Sequence, residues 1–278
     1  MTSASWLVAC CVLALPAGSQ TVPGMTFTVT ITHRAPGTTT RTLIAKGLVA
    51  RGRARIDVRS TDIPGFPLRV SDVMIYDDTD WVVVRPSTGA AMVSAPDLTD
   101  SAFAVQFAGG ADLKSLNARI TAHADEASAD RLALDTIAGY PAQHVRVARA
   151  FRVMMSGRGR DLPVGDDRTI TDYWLANVPG LPSLPIDRLR RSFATMVLPP
   201  GVRAQVYERT AKYETLTVLR SEAVARGATF GTGMGPSTTR IEITDIAPAD
   251  VDAAALVVGP DVTPSRGDLP ARWRSPPK

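Results

Sequence analysis

Short runs in which apolar and polar residues alternate dominate this chain, and that two-residue period admits few folds. Phe27, Val29 and Ile31 alternate with threonines in TFTVTIT, and Ala54, Ile56 and Val58 alternate with Arg53, Arg55 and Asp57. The pattern returns at Leu132 and Leu134, Val145 and Val147, Val202 to Val206, Leu216 and Val218, and Ile241 and Ile243. A period of two sends successive side chains to opposite faces of a strand, so each run offers one apolar face. Gly, Pro, Asp or Ser bounds each run. About ten short strands in an antiparallel sheet, barrel or sandwich are expected, with no strand–helix–strand rhythm of a parallel sheet.

Two segments read as helix instead. SAPDLTDSAFAVQFAGG places Pro96, Asp97 and Asp100 in a first turn, sets Phe103 and Phe107 four apart, and stops at Gly109. SLPIDRLRRSFATMVLPPG offers Ser183 as a cap and Pro185 in the first turn, and puts Ile186, Leu189, Phe193 and Met196 on one stripe. Pro199 and Pro200 are expected to end this second helix, leaving Val202 to Val206 as a strand. An amphipathic helix between strands packs most simply over an open face of the sheet. Ser156 to Thr169 reads as a long hairpin loop, and the Pro- and Arg-rich end of the chain as a disordered tail over 263–278.

The chain has 278 residues, 45% of them hydrophobic and 21% charged, enough apolar material for a sizeable core. Its net charge of +4 comes from arginines interspersed with Asp and Glu, which is a solvated surface and not a nucleic-acid patch. SWLVACCVLALPAGSQ carries an apolar run from Trp6 to Leu15, too short to span a bilayer, followed by Pro16 and small residues. That pattern predicts a signal peptide over 1–19 and a secreted or periplasmic protein, with lipidation at Cys10 the lesser alternative. Both cysteines, Cys10 and Cys11, fall in that segment, so no disulfide or thiol site is expected beyond it. Residues 20–262 are expected to form one domain.

Motifs that would announce chemistry are weak. His33, His123 and His144 sit in separate strand-like runs with no metal-type spacing. Ser156 in MMSGRG lacks the glycine two residues earlier that a nucleophile elbow needs. GTGMG, Gly231 to Gly235, is followed by Pro236 and a strand, not by the helix of a phosphate loop. Asp77, Asp78 and Asp80 in MIYDDTDWVVVRP stand between two β-rich runs, where such residues turn a hairpin. No catalytic residue, metal ligand or cofactor is assigned.

The order of elements carries a resemblance. IAGYPAQHVRV, with Gly139, Tyr140 and Pro141, is followed by TDYWLANVPGLP, with Tyr173 and Trp174, and late in the chain by the segment from Ile246 to Val258. Over roughly 25–262 the chain resembles secreted bacterial proteins similar to the lipoprotein carriers LolA and LolB. The resemblance implies a mainly β (α+β) fold: a curved antiparallel half-barrel with helices covering its concave face, where the carriers accept acyl chains. The leading expectation is therefore a non-catalytic protein that binds a lipid or other hydrophobic ligand. Its apolar lining would come from Phe27, Val29, Ile31, Ile56 and Val58, and the segment Ile186 to Val197 would form a lid through Ile186, Leu189 and Phe193. The alternative is an envelope structural or interaction protein with a filled core, meeting a protein partner through its sheet edges and arginine-rich loops.

Overall fold

The computed structural model describes residues 21–64, 68–77, 80–93, 104, 118–157, 160–181, 198–229, 232–259 and 262–264. The alternating runs are strands: β1 Thr21–Arg34, β2 Arg41–Ala50, β3 Arg53–Thr61, β4 Val73–Asp77, β5 Asp80–Arg85 and β6 Ala90–Val93. Five long ones and a short one follow: β7 Ala118–Ile137, β8 Tyr140–Gly157, β9 Arg160–Ala176, β10 Thr217–Thr229, β11 Thr232–Asp252 and β12 Thr263–Pro264. Among the described residues the α-helix α1 spans Pro200–Thr210. The strands form one sheet in the order β12-β6-β5-β4-β3-β2-β1-β11-β10-β9-β8-β7. Every neighbouring pair is antiparallel except β12 and β6. Among the described residues β7 and β12 are the two edges and do not pair with each other, so the sheet is an open half-barrel.

Tight turns and bulges shape that sheet. Arg51 and Gly52 join β2 to β3, and Ala138 and Gly139 join β7 to β8, with positive φ at both positions of each turn. That is the backbone twist that two-residue hairpins require. Register shifts interrupt the β1–β11, β2–β3, β7–β8, β8–β9, β9–β10 and β10–β11 ladders. Each bulge bends its strand and adds right-handed coil, which curves a sheet of this width. At the β1–β11 bulge Asp245 adopts φ 52°, and Thr28 Oγ1 donates to its carboxylate at 2.6 Å. Lys46 Nζ in turn donates to Thr28 at 2.7 Å, so three strands meet at this bend.

Several expectations need correction. The helix that Pro199 and Pro200 are expected to end lies outside the described residues, and the two prolines start another: Pro199 is the cap residue and Pro200 occupies the first turn, where a missing N–H costs nothing. Val202, Val206 and Thr210 are the buried positions of α1, a four-residue spacing that the strand reading of Val202 to Val206 overlooked. The expected loop from Ser156 to Thr169 is mostly strand, since β8 runs to Gly157 and β9 begins at Arg160. Likewise β11 begins at Thr232, so most of GTGMG belongs to a strand. Thr263 and Pro264, expected to open a disordered tail, pair with Ala90 and Ala91. The expected helix after Ser94 is described only at Ala104, which is helical and buried, and the segment from Ile186 to Val197 lies outside the described residues.

The continuous apolar run of β4 and β5 also has a cause. Met74 and Tyr76 face the main core, while Val73, Ile75, Val82 and Val84 pack on the opposite face with Ala91 and Val258. The chain after β11 folds back over that opposite face: Asp252 caps a 3-10 turn at Ala253–Leu256, Leu256 packs with Val22, Ala50 and Val251, and Arg55 donates to the Ala255 carbonyl at 3.0 Å. Strands covered on both faces lose their alternation.

Candidate functional site

The inner face of the half-barrel gathers the residues expected to line a ligand site. Phe27, Val29, Ile31, Ile56 and Val58 belong to a single buried cluster with Leu43, Ala45, Met74, Tyr76, Ile241 and Ile243, and none of the five is more than 2% exposed. The register explains the convergence. Ile31 stands between Leu43 and Ile241, Val29 between Ala45 and Ile243, and Val58 beside Ala45. Phe27 lies opposite Gly47, and its ring occupies the space a Cβ at Gly47 would take. Ile186, Leu189 and Phe193 lie outside the described residues, and α1 is placed elsewhere: it packs against β7 and the margin of β8. There Val202 joins Ile120, Phe151, Val153, Val164, Leu198 and Ala104 in a second apolar cluster.

Between the two clusters the inner face becomes polar. Inner positions of β8 read Val145, Val147, Arg149, Phe151 and Val153, and those of β9 read Asp167, Thr169, Thr171, Tyr173 and Leu175. Arg149 is directly opposite Thr169. Its Nη2 donates to Thr169 Oγ1 at 3.1 Å and lies 3.6 Å from Asp167 Oδ1, and Thr169 Oγ1 donates to Asp167 at 3.0 Å. Asp167 and Thr169 are each 5% exposed. Burial pushes the Asp167 carboxyl up from its ordinary range, while the Arg149 charge and the Thr169 hydroxyl pull the other way. A buried ion pair is a poor way to gain stability, since apolar replacements of both partners are often neutral or stabilising by about 1–4 kcal/mol.

Sequence reasoning missed this belt. The signal was present in VGDDRTITDYWL, where Asp167, Thr169 and Thr171 share their parity with Tyr173 and Leu175. Reading the stretch up to Thr169 as loop concealed it. Nearby, bulges at Asp125 in β7 and at Val164 in β9 lie close together. A cleft of about 470 Å³ opens there, lined by Asp125, Phe151, Arg152, Val164, Asp167 and Arg168 among others, but not by Arg149 or Thr169.

The outer face is charged in cross-strand rungs. His144, Trp174, Arg220 and Glu242 stand side by side on β8, β9, β10 and β11. The His144 and Trp174 rings stack with centroids 4.5 Å apart, the Arg220 guanidinium lies 5.5 Å from the Trp174 ring, and Arg220 donates to Glu242 at 2.9 Å. In the next rung Arg146 pairs with Asp172 at 2.9 Å, and His144 Nε2 also donates to Asp172 at 2.9 Å. Burial raises Asp172 and Glu242, but hydrogen bonds and charges from Arg146 and His144, and from Arg220 and Arg240, hold both below the usual carboxylate range. A depressed folded pKa contributes stability that is present above the unfolded value and is lost as pH falls through the folded one. Asp172→Asn is therefore expected to lower stability by about 1 kcal/mol or less at pH 7 and by almost nothing near pH 2, flattening the acid limb of urea midpoints measured across that range.

The remaining candidates do not converge on a catalytic group. Asp77 pairs with Asp80 and Tyr76 with Trp81, so the two aspartates are cross-strand partners at the turn end of the β4–β5 hairpin, with Asp78 outside the described residues. Through Arg53 and Ala50 that turn is level with Gly24, nine residues along β1 from His33, or roughly 30 Å at strand rise. His33 instead contacts Thr239 at 3.0 Å, His123 contacts Thr121, and His144 is on the outer face. Among the described residues no three His, Cys, Asp or Glu side chains are grouped to hold a metal ion, and no helix is long and apolar enough to cross a membrane.

No family model matches the sequence, and no curated protein matches it. Among solved structures the chain is similar to the crystal structure of a DUF1329 family protein from Desulfovibrio piger, with 10% identity, a TM-score of 0.28, and coverage of 83% of this chain and 86% of that one. It is also similar to the LolA superfamily protein NE2245 from Nitrosomonas europaea, with 10% identity, a TM-score of 0.30, and coverage of 84% of this chain and 88% of that one.

Proposed function

We propose that this chain is a secreted or periplasmic, non-catalytic protein whose half-barrel binds an apolar ligand, a lipid or an acyl chain. The observation that carries this reading is the asymmetry of an open sheet. Its inner face is apolar over β1 to β4 and again at Val145, Val147, Tyr173, Leu175, Ile241 and Ile243 of β8, β9 and β11, while its outer face over β8 to β11 is built of paired charges. An apolar concave surface that does not close on itself has to be covered by something other than the sheet. Helix α1 covers the β7–β8 end. A ligand exchanging with the remaining cover would use the Phe27, Val29, Ile31, Ile56 and Val58 surface. The secretory pattern over 1–19 supports the location.

A second reading, a filled core in an envelope scaffold protein, is favoured by one specific observation: those five side chains are already shut off from solvent. The two readings separate in one experiment. Protein purified without detergent is expected to release lipid on organic extraction, detected by mass spectrometry, and the delipidated protein to take up a fluorescent fatty acid. A clean extract with no uptake would leave the filled core.

A further inference from the structure

The two edges of the sheet differ. β12 is two residues long and ends at Pro264, which has no N–H to offer another strand. β7 is 20 residues long, and among the described residues no strand pairs with its far side. Such an edge presents a row of unpaired backbone donors and acceptors, a template for pairing with another chain. Its first half is guarded. Val202 of α1 packs there with Ile120, a bulge interrupts the ladder at Asp125, and Asp125 and Glu126 pair with Arg152 at 2.7 Å and Arg168 at 3.5 Å. The second half is open: every residue from Asp130 to Thr136 is exposed, Leu132 by 40% and Leu134 by 69%. Leu132 and Ala133 have no partner in β8, because the ladder shifts between Arg131 and Leu134. Asp130, Arg131 and Asp135 take part in no ion pair among the described residues. Asp135 accepts only from neutral donors, Trp174 Nε1 at 3.2 Å and the Thr136 amide at 2.7 Å.

We propose that this strip is the interface of a homodimer, in which β7 of a second copy pairs antiparallel with β7 about a two-fold axis at Ala133. The inference is independent of whether the half-barrel holds a ligand. Its ground is that the strip, DRLALDT, is its own complement, as an isologous contact requires. With Ala133 level with itself, Arg131 stands level with the partner subunit's Asp135, and Leu132 with the partner subunit's Leu134. The symmetry repeats both matches, so two opposite-charge pairs and two leucine contacts form together. Centring the axis on Leu132 or Leu134 instead matches none of the charges, which specifies the register. The overlap runs from Ala129 to Ile137 and so ends short of Ile120, where α1 packs. Antiparallel pairing within one sheet sets the axis perpendicular to it, and the inner faces of both half-barrels open to the same side. The edges that remain are the two β12 strands, each stopped by Pro264.

Sedimentation equilibrium of the full chain over about 1 to 100 µM reads the association. The wild type is expected to be a reversible dimer in that range. Leu134→Lys, a change at an exposed position, is expected to weaken the dimer about tenfold or more, since an edge lysine opposes strand addition. Arg131→Asp and Asp135→Arg are each expected to weaken it about tenfold, because each sets like charges opposite one another twice. The exchange Arg131→Asp/Asp135→Arg is expected to recover most of that loss, because it restores both pairs with reversed polarity. Single cysteines in a Cys10→Ser/Cys11→Ser background give a reading that needs no change of affinity. Ala133→Cys, on the axis, is expected to cross-link to its copy on mild oxidation, and Ser128→Cys is not. A wild type that stays monomeric throughout leaves the edge to a different protein and overturns the homodimer. A dimer indifferent to Leu134→Lys, a charge exchange that recovers nothing, or cross-linking at Ser128→Cys in preference to Ala133→Cys overturns it as well.

Discussion

Truncating Phe27 to alanine is expected to cost about 3–5 kcal/mol, seen as a lower urea midpoint with an unchanged m-value. The ring is 1% exposed and lies on Gly47 of the next strand, where an added Cβ would fall 2.2 Å from two ring atoms. Glycine weakens a strand, and an aromatic ring laid over it replaces the missing side chain. The two positions are therefore coupled. Gly47→Ala alone is expected to cost about 1–3 kcal/mol or more, because it overpacks a site with no free volume. In the Phe27→Ala background the same change should cost far less, giving a coupling energy of about 1 kcal/mol or greater in a double-mutant cycle. The outcome also bears on function. A loss below about 1.5 kcal/mol for Phe27→Ala would mean that the ring borders an open space, which is where a ligand would sit, and a full loss means a filled core at this end of the half-barrel.

What could be read in the sequence depended on how many faces of an element are buried. Where one face meets the core and the other is polar, as in Phe27, Val29 and Ile31 among threonines, alternation alone placed the residues on a common surface. The Tyr76–Trp81 hairpin was legible for another reason, since aspartates between β-branched runs have few other uses. Two physical circumstances hid the rest. Val202, Ala204 and Val206 satisfy a strand period and a helix period over so short a window, and only the part Pro200 plays as a first-turn residue decides between them. In β9 the inner positions Asp167 and Thr169 are polar, so a buried strand looks like a solvated loop. A composition rule that expects apolar residues inside will miss a strand whose inner face buries polar ones. The pairing of β8 with β9, fixed by residues on both sides, is what reveals the inner parity of Arg149 and Thr169.

The other large effect expected lies at Asp72, which is 1% exposed and ties the β3–β4 connection to β5. Its carboxylate accepts from Arg85 Nε at 3.1 Å and Nη2 at 2.9 Å, and from the Arg69 amide at 2.9 Å. That hydrogen bonding raises the pKa of the Arg85 guanidinium against the opposing effect of burial. The backbone of the same stretch is held as well, since Val58 N donates to the Asp72 carbonyl at 2.9 Å and Ser71, at φ 71°, donates to Val58 at 3.0 Å. Asp72→Ala is expected to cost about 3–5 kcal/mol, because it takes a buried carboxylate away from a partly buried guanidinium and a backbone donor while removing the link between two strands. Most of that cost is the desolvation of what remains and not the worth of the pair. Asp72→Ala/Arg85→Met, which removes both charges and retains an apolar stem, should therefore recover more than half of it in urea melts. Melts of the wild type and the single variant in 0.05 M and 0.5 M salt should differ by the same amount, since a carboxylate this enclosed is poorly screened. If the double variant were as unstable as the single one, the stabilising element would be the Arg69 amide contact and the backbone bonds around Ser71, with the ion pair incidental to them.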